Sequence, residues 1–92
     1  MEILQKEDHN KGMFYISRDS YLLAKMTYVW AGTDKIIITH TVVNDNLKGQ
    51  GIGKQLVEKA VSFAREKGIK IIPLCPFVKS VLSKGKEYND VI

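Results

Sequence analysis

The sequence predicts a mixed α/β fold: an antiparallel four-stranded meander, then a helical crossover to a parallel fifth strand, then a C-terminal helix. Three observations lead there. Apolar and polar residues alternate with period two through the first half, between clusters of turn-forming residues. At Ile52 the spacing changes to that of a helix. After Gly68 comes a short apolar run, Ile69 to Leu74, which completes a strand-helix-strand unit.

The first strand is weak and centres on Ile3 and Leu4, and the turn cluster Asp8-His9-Asn10-Lys11-Gly12 isolates it. Met13 to Ser17 is rich in aromatic and branched residues and reads as the second strand. Arg18-Asp19-Ser20 has the length of a hairpin loop. In the third strand, Tyr21 to Ala31, the row Leu22, Ala24, Met26, Tyr28 and Trp30 alternates with a more polar row containing Lys25 and Thr27. Ala31-Gly32-Thr33-Asp34 leads into the fourth strand, Lys35 to Val43, whose run Ile36-Ile37-Ile38 is that expected of a central strand covered on both faces. Asn44 to Gly49 is polar. From Ile52, the residues Leu56, Val57, Ala60, Val61, Phe63 and Ala64 fall on one half of a helix that Lys67-Gly68 ends. Pro76 suits the first turn of a last helix with the stripe Phe77, Val78, Val81 and Leu82, ending near Gly85. Glu87 to Ile92 fits either a tail or a last short strand. No internal repeat is visible.

Ninety-two residues with 45% hydrophobic and 26% charged side chains are expected to form one domain, 1–92, with a thin core. No apolar run is long enough to cross a bilayer, and the start lacks the basic and apolar segments of a secretory signal, so the expected setting is cytoplasmic, away from membranes. The lone Cys75 excludes an intramolecular disulfide, and with only His9 and His40 beside it no zinc-binding spacing is present, so no metal is expected. A formal charge of +4 favours anionic partners without choosing among them.

Lys48-Gly49-Gln50-Gly51-Ile52-Gly53-Lys54 joins the fourth strand to the helix. Alternating glycines let the backbone approach a ligand, and the helix start offers free N–H groups and a positive dipole end to a phosphate. The plain alternative is a glycine-rich turn that only starts the helix. A nucleoside-triphosphate loop needs four residues between its glycines and a hydroxyl after the lysine, whereas here Gln55 follows Lys54. A dinucleotide fingerprint fails as well, because the third glycine comes one residue early and the loop follows an antiparallel meander.

Cys75 stands at the end of the predicted fifth strand and at the N-cap of the last helix, where free amides lower a thiol pKa. A buried apolar cysteine is the competing assignment. His40, near the end of the fourth strand, is suited to act as a general base or to be a structural residue between two threonines. His9 belongs to a polar turn and is expected to be exposed.

The loop closely resembles the acyl-coenzyme A loop of the GNAT superfamily of N-acetyltransferases, whose pattern is Arg or Gln, two residues, Gly, one residue, then Gly or Ala. Lys48 stands where Arg or Gln is usual. The order of elements resembles the GNAT core over nearly the whole chain. The resemblance implies an acetyl-coenzyme A-dependent transferase. In it, the backbone of Thr41, Val42 and Val43 bonds the pantetheine arm, and the loop from Lys48 through Gly49, Gln50, Gly51 and Gly53 to Lys54 holds the pyrophosphate. An amide near Val42 is expected to stabilise the oxyanion. His40-Thr41 before the loop and Cys75-Pro76-Phe77 after the fifth strand are similar to a small single-domain GNAT branch, the N-acetyltransferase domain-containing proteins. That resemblance makes Cys75 the candidate nucleophile or acyl carrier and His40 the base, and two routes to an amine acceptor stay open: direct attack by an amine that His40 or a water deprotonates, or transfer through an acetyl-thioester on Cys75. Where this branch tends to carry His-Pro before a Tyr, the chain has Gly85-Lys86 before Glu87-Tyr88. Larger members place helices between their first two strands to wall the acceptor pocket, so an open acceptor side is expected here, suited to a protein or an exposed amine. The expected assembly is a monomer or a weak homodimer. The rival readings are a non-catalytic acyl-coenzyme A-binding module and, from another class, a small basic nucleic-acid-binding domain. The latter is weakened because Phe14, Tyr15, Tyr21, Tyr28 and Trp30 follow strand periodicity.

Overall fold

The computed structural model describes residues 2–92. Strands β1 (Leu4–Asp8), β2 (Lys11–Arg18), β3 (Tyr21–Ala31) and β4 (Lys35–Val43) form the antiparallel meander. A single 3₁₀ turn, Asp45–Leu47, precedes helix α1 (Ile52–Lys67), which crosses to β5 (Lys70–Pro73), parallel to β4. Helix α2 (Pro76–Leu82) follows. The sheet order is the order of the chain.

Polar residues near the first hairpin are strand rather than turn. Glu7 pairs with Gly12 and Asp8 with Lys11, leaving only His9 and Asn10 to reverse the chain, with His9 at φ 58°. The second hairpin turns on Asp19 and Ser20, both at positive φ, the geometry whose twist matches that of paired strands.

Register divides the sheet into two faces. On one, Gln5, Phe14, Met26 and Thr41 lie in a row across four strands, beside the row Glu7, Gly12, Tyr28, Ile38 and Pro73. Both helices cover this face: Leu56, Val57, Ala60 and Val61 of α1 and Val78 and Leu82 of α2 pack with Phe14, Met26, Tyr28, Ile36 and Ile38 in one buried cluster. Each buried Val, Leu, Ile, Phe or Met among them contributes roughly 1.5–3 kcal/mol by leaving water. Tyr28 is anchored within the core. Its hydroxyl donates to Glu7 Oε2 at 2.7 Å and accepts from Gln5 Nε2 at 2.8 Å, while Trp30 Nε1 donates to the same Glu7 oxygen at 2.7 Å. Burial, reinforced by the Glu7 carboxylate, pushes the Tyr28 phenol well above its ordinary range.

The other face carries the rows Lys6, Met13, Thr27, His40 and Asp8, Lys11, Val29, Ile37, Ile72. None of these residues is buried. The expectation that β4 is covered on both faces is therefore corrected: among the described residues no element crosses this side, so Ile37 is half-buried and Ile72 is 40% exposed.

The second half departs from expectation in its ends. Strand β5 and helix α2 are shorter than predicted, and the segment weighed as a last strand is a 3₁₀ turn, Asn89–Val91. Side chains hold it there. Arg65 donates to Asp90 Oδ2 at 2.8 Å and Oδ1 at 3.1 Å and to the Glu87 carbonyl at 2.6 Å, Lys70 donates to the Asp90 carbonyl at 2.7 Å, and Val91 is buried.

Candidate active site

One extra residue in β4 shapes the site. Tyr28 pairs with Ile38, but Thr27 pairs with His40, so Thr39 is a bulge. Its hydroxyl meets Thr27 Oγ1 at 2.8 Å and the Thr27 carbonyl at 3.2 Å. Without the bulge His40 would follow Ile36 and Ile38 onto the helix-covered face. With it, His40 joins Thr27 on the open face and Thr41 joins Met26 on the covered one.

The same point ends the pairing of β4 with β5. Ile38 opposite Pro73 is the last pair, and the amides of Leu74 and Cys75 both converge on the Ile38 carbonyl at 3.1 Å. Beyond it, β4 runs on from Thr39 to Val43 with β3 on one side and, among the described residues, no strand on the other, leaving backbone groups for a ligand.

A cleft of about 620 Å³ opens there. One wall is Thr41, Val42 and Val43; the other is Lys48, Gly49, Gly51, Gly53 and Lys54, with Leu47, Ile52 and Phe77 completing the lining. Gln50 is the one loop residue proposed from sequence that does not line the cleft; its side chain turns towards the Asn46 carbonyl at 3.5 Å. Lys48 is exposed and pairs with Asp45 at 2.9 Å.

Positive φ at Gly49 (82°) and Gly51 (71°) turns the loop into α1, and a Cβ at either would meet nothing within 4 Å. These glycines serve backbone geometry. Gly53 serves space, because a Cβ there would lie 2.7 Å from Phe77 Cζ. Helix α1 has no side-chain cap and no acidic residue in its first turn. Its first helical bond runs from Gln55 N to the Gly51 carbonyl at 3.1 Å, so the preceding amides have no intrahelical acceptor. Free amides, a helix dipole and Lys54 make this wall a fit for phosphate oxygens, and the extended backbone opposite fits an amide-bearing arm such as pantetheine.

Cys75 caps α2 in extended conformation, and its carbonyl accepts from Lys79 N at 3.0 Å. Its Sγ lies 3.7 Å from Thr41 Oγ1, which places the thiol on the covered face, behind the cleft-lining Thr41 and not itself part of the lining. The side chain is buried, as the apolar assignment required, yet its pKa is lowered. Burial alone pushes the thiol up; the Val78 amide, the Thr41 hydroxyl, the Phe77 amide and the Thr41 backbone together outweigh it. Both assignments thus describe one residue.

The structure brings Cys75 together with Thr41 but not with His40. The sequence leaves open which face each side chain takes; the bulge sets thiol and imidazole on opposite faces of the sheet. His40 is exposed and Cys75 buried. His9 is exposed beside Asp8, as expected. Sequence reasoning missed Phe77 as a cleft residue and the Thr41 hydroxyl as a partner of the thiol. The signal for the bulge was a polar His40 standing where Ile36 and Ile38 set an inward apolar period.

A family model described as GCN5-related N-acetyltransferase matches residues 13–91. Among solved structures, the NMR structure of a GCN5-like protein from Staphylococcus aureus is 45% identical, with a TM-score of 0.75, over 98% of this chain and 85% of that one. A ribosomal-protein-alanine N-acetyltransferase from Brucella melitensis shares the fold at 17% identity and TM-score 0.68, over 85% of this chain and 64% of its own. So does a GNAT family acetyltransferase from Elizabethkingia anophelis solved with acetyl-CoA bound, at 17% identity and TM-score 0.60, over 71% of this chain and 43% of its own. No curated protein sequence matches the chain.

Proposed function

Because the chain belongs to the GCN5-related N-acetyltransferase family and is an acetyltransferase, we propose that it moves the acetyl group of acetyl-coenzyme A to an amine by way of Cys75. The observation that carries this reading is the thiol bonded to the cleft-lining Thr41, with its pKa lowered by groups of Val78, Thr41 and Phe77.

Acetyl-coenzyme A supplies an activated thioester. The amides at the start of α1 hold the pyrophosphate, with Lys48 and Lys54 contributing charge, and the free edge of β4 from Thr41 to Val43 aligns the arm. The Cys75 thiolate attacks the acetyl carbon. A carbon–sulfur bond forms to Sγ, the bond to coenzyme A breaks, and the departing thiolate takes a proton from water. An amide near Val42 meets the developing oxyanion. In the second half the acceptor amine attacks the acetyl group on Cys75, an amide bond forms and the Cys75 thiolate is released. His40, on the open face, accepts the proton the amine gives up. In this division of labour the α2 amides and Thr41 activate the thiol, and the imidazole serves the acceptor.

Thermal unfolding with and without coenzyme A and acetyl-coenzyme A tests the first element, since a ligand bound only by the folded state raises the Tm. Mass spectrometry after incubation with acetyl-coenzyme A tests the second. A single acetyl adduct on Cys75, discharged by added amine, is expected. An unmodified Cys75 with a fully active Cys75→Ala variant refutes the covalent route in favour of direct transfer. Cofactor binding without acetylation of any amine assigns the protein as an acyl-coenzyme A-binding module.

A further inference from the structure

The uncovered face of the sheet is unusual for its chemistry. Val29, Ile37 and Ile72 form an aliphatic row beside Met13, and no element of the described chain covers them. A hollow of about 430 Å³ lies over the β1 to β4 part of this face, between Lys6, Lys11, Met13, Val29 and Thr39. Four consecutive apolar or hydroxyl-bearing β4 residues, Ile36 to Thr39, carry the composition of a strand buried on both sides while only one side is covered.

The rim of this face is basic. Register places Lys6, Lys11, Lys25 and Lys35 on it, in rows that hold one carboxylate, Asp8. The Lys35 ammonium reaches Asp34 only at 3.5 Å, and Lys6 lies over the Tyr15 ring at 5.3 Å to its centre. The row Lys6, Met13, Thr27, His40 runs directly to the imidazole. Next to His40, β4 and β5 part beyond Ile38, so this is the side from which a molecule reaches the gap without displacing a helix.

We propose that this face docks the acceptor, and that the acceptor is an acidic polypeptide segment that presents its amine beside His40. This rests on the acetyl-transfer reading and deepens it by naming the substrate class. Charge complementarity selects the occupant. A second copy of the same face would set lysine against lysine. Nucleobases need flat aromatic platforms, and the centre here is aliphatic, with Tyr15 under Lys6 as the aromatic of these rows. A polypeptide supplies both apolar side chains for the Ile37 and Ile72 row and carboxylates for the rim. The lysines also act on the amine. An ammonium among like charges gives up its proton more readily, which favours the neutral nucleophile, while flanking carboxylates hold the segment against that repulsion.

Two short peptides test this, identical in their amine and differing only in whether Asp and Glu or Gln flank it. Amide shifts of the labelled protein are followed by NMR during titration with each, and acetylated peptide is measured separately by mass spectrometry. The acidic peptide is expected to shift the amides of Thr27, Val29, Ile37 and Ile72 and to be acetylated about tenfold more efficiently, the combined effect of several exposed ion pairs. The preference should fade with added salt and vanish in a Lys6→Glu, Lys25→Glu double variant whose thermal shift with coenzyme A is unchanged. Equal acetylation of both peptides, or shifts confined to α1 and α2, overturns the proposal. So does displacement of the acidic peptide by a mixed oligonucleotide at lower concentration, or movement of the same amides on raising protein concentration alone. Acidic peptide bound at these amides but never acetylated supports the docking surface and counts against acetyl transfer, so the two can fail separately.

Discussion

Gly53→Ala separates folding from cofactor binding in a single residue. The new methyl would stand 2.7 Å from Cζ and 2.8 Å from Cε2 of Phe77. Phe77 is 43% exposed, so its ring can swing away from α1 towards the cleft it lines. Replacing glycine in a helix by alanine stabilises it by about 1 kcal/mol. That gain offsets the cost of moving one half-free ring, so the unliganded variant should melt within about 5 °C of the parent, 1 kcal/mol corresponding to about 5 °C at this size. Binding is another matter. The displaced ring and the methyl crowd the wall where the α1 amides meet phosphate, and losing one charge-assisted hydrogen bond costs about 1.5–3 kcal/mol, or roughly 10–100-fold in Kd. At coenzyme A equal to about 100 times the parent Kd, the ligand stabilises the parent by about 2.7 kcal/mol, a Tm rise of about 14 °C. The variant at the same concentration should gain about 0.4–1.4 kcal/mol, a rise of about 2–7 °C. Differential scanning fluorimetry across a coenzyme A series measures both numbers. A variant that keeps the full ligand-induced rise would refute the assignment of this cleft to the cofactor.

Gly12→Ala makes a parallel clash with a different outcome, because the ring it meets belongs to Tyr28, which is buried and tethered to Glu7 and Gln5. Overpacking of about 1–3 kcal/mol should lower the Tm by roughly 5–15 °C without altering the ligand-induced rise. The lowered Cys75 pKa predicts that alkylation by iodoacetamide, followed against pH, has its midpoint below the value of about 8.5 for a free cysteine; Thr41→Val should move that midpoint upward. Asp90 is held below the ordinary carboxylate range, first by its hydrogen bonds to Arg65. A depressed folded pKa contributes stability that is present above the unfolded value of about 3.9 and is lost as pH falls through the folded value. The Tm difference between the parent and Arg65→Ala should accordingly be constant from about pH 5 to 7 and close below about pH 4.

The element order and the glycine loop were legible in the chain because each rests on local chemistry: alternation in β3, the helical stripe from Leu56 to Ala64, positive φ at Gly49 and Gly51. What escaped was relational. The alternation of Ile36 and Ile38 continues on paper through His40, and only the pairing of Thr27 with His40 reveals the inserted Thr39. Strand composition also misled about cover. Ile37 reads as interior, yet whether a second layer lies over it depends on elements between β1 and β2, where the chain has two residues. The tail was undecided for a similar reason: Arg65, remote in sequence, folds it by binding Asp90.

The bulge at Thr39 has a wider consequence. Every residue of β4 after it is out of phase with those before it, so the sheet acts as a partition, with the thiol and cofactor loop on one side and the imidazole on the other. Closing the bulge by pairing Thr39 regularly with Thr27 would restore the phase, turn His40 inward against Met26 and send Thr41 outward, away from Cys75. A change that leaves every proposed reacting group in the chain would thereby exchange the chambers they serve.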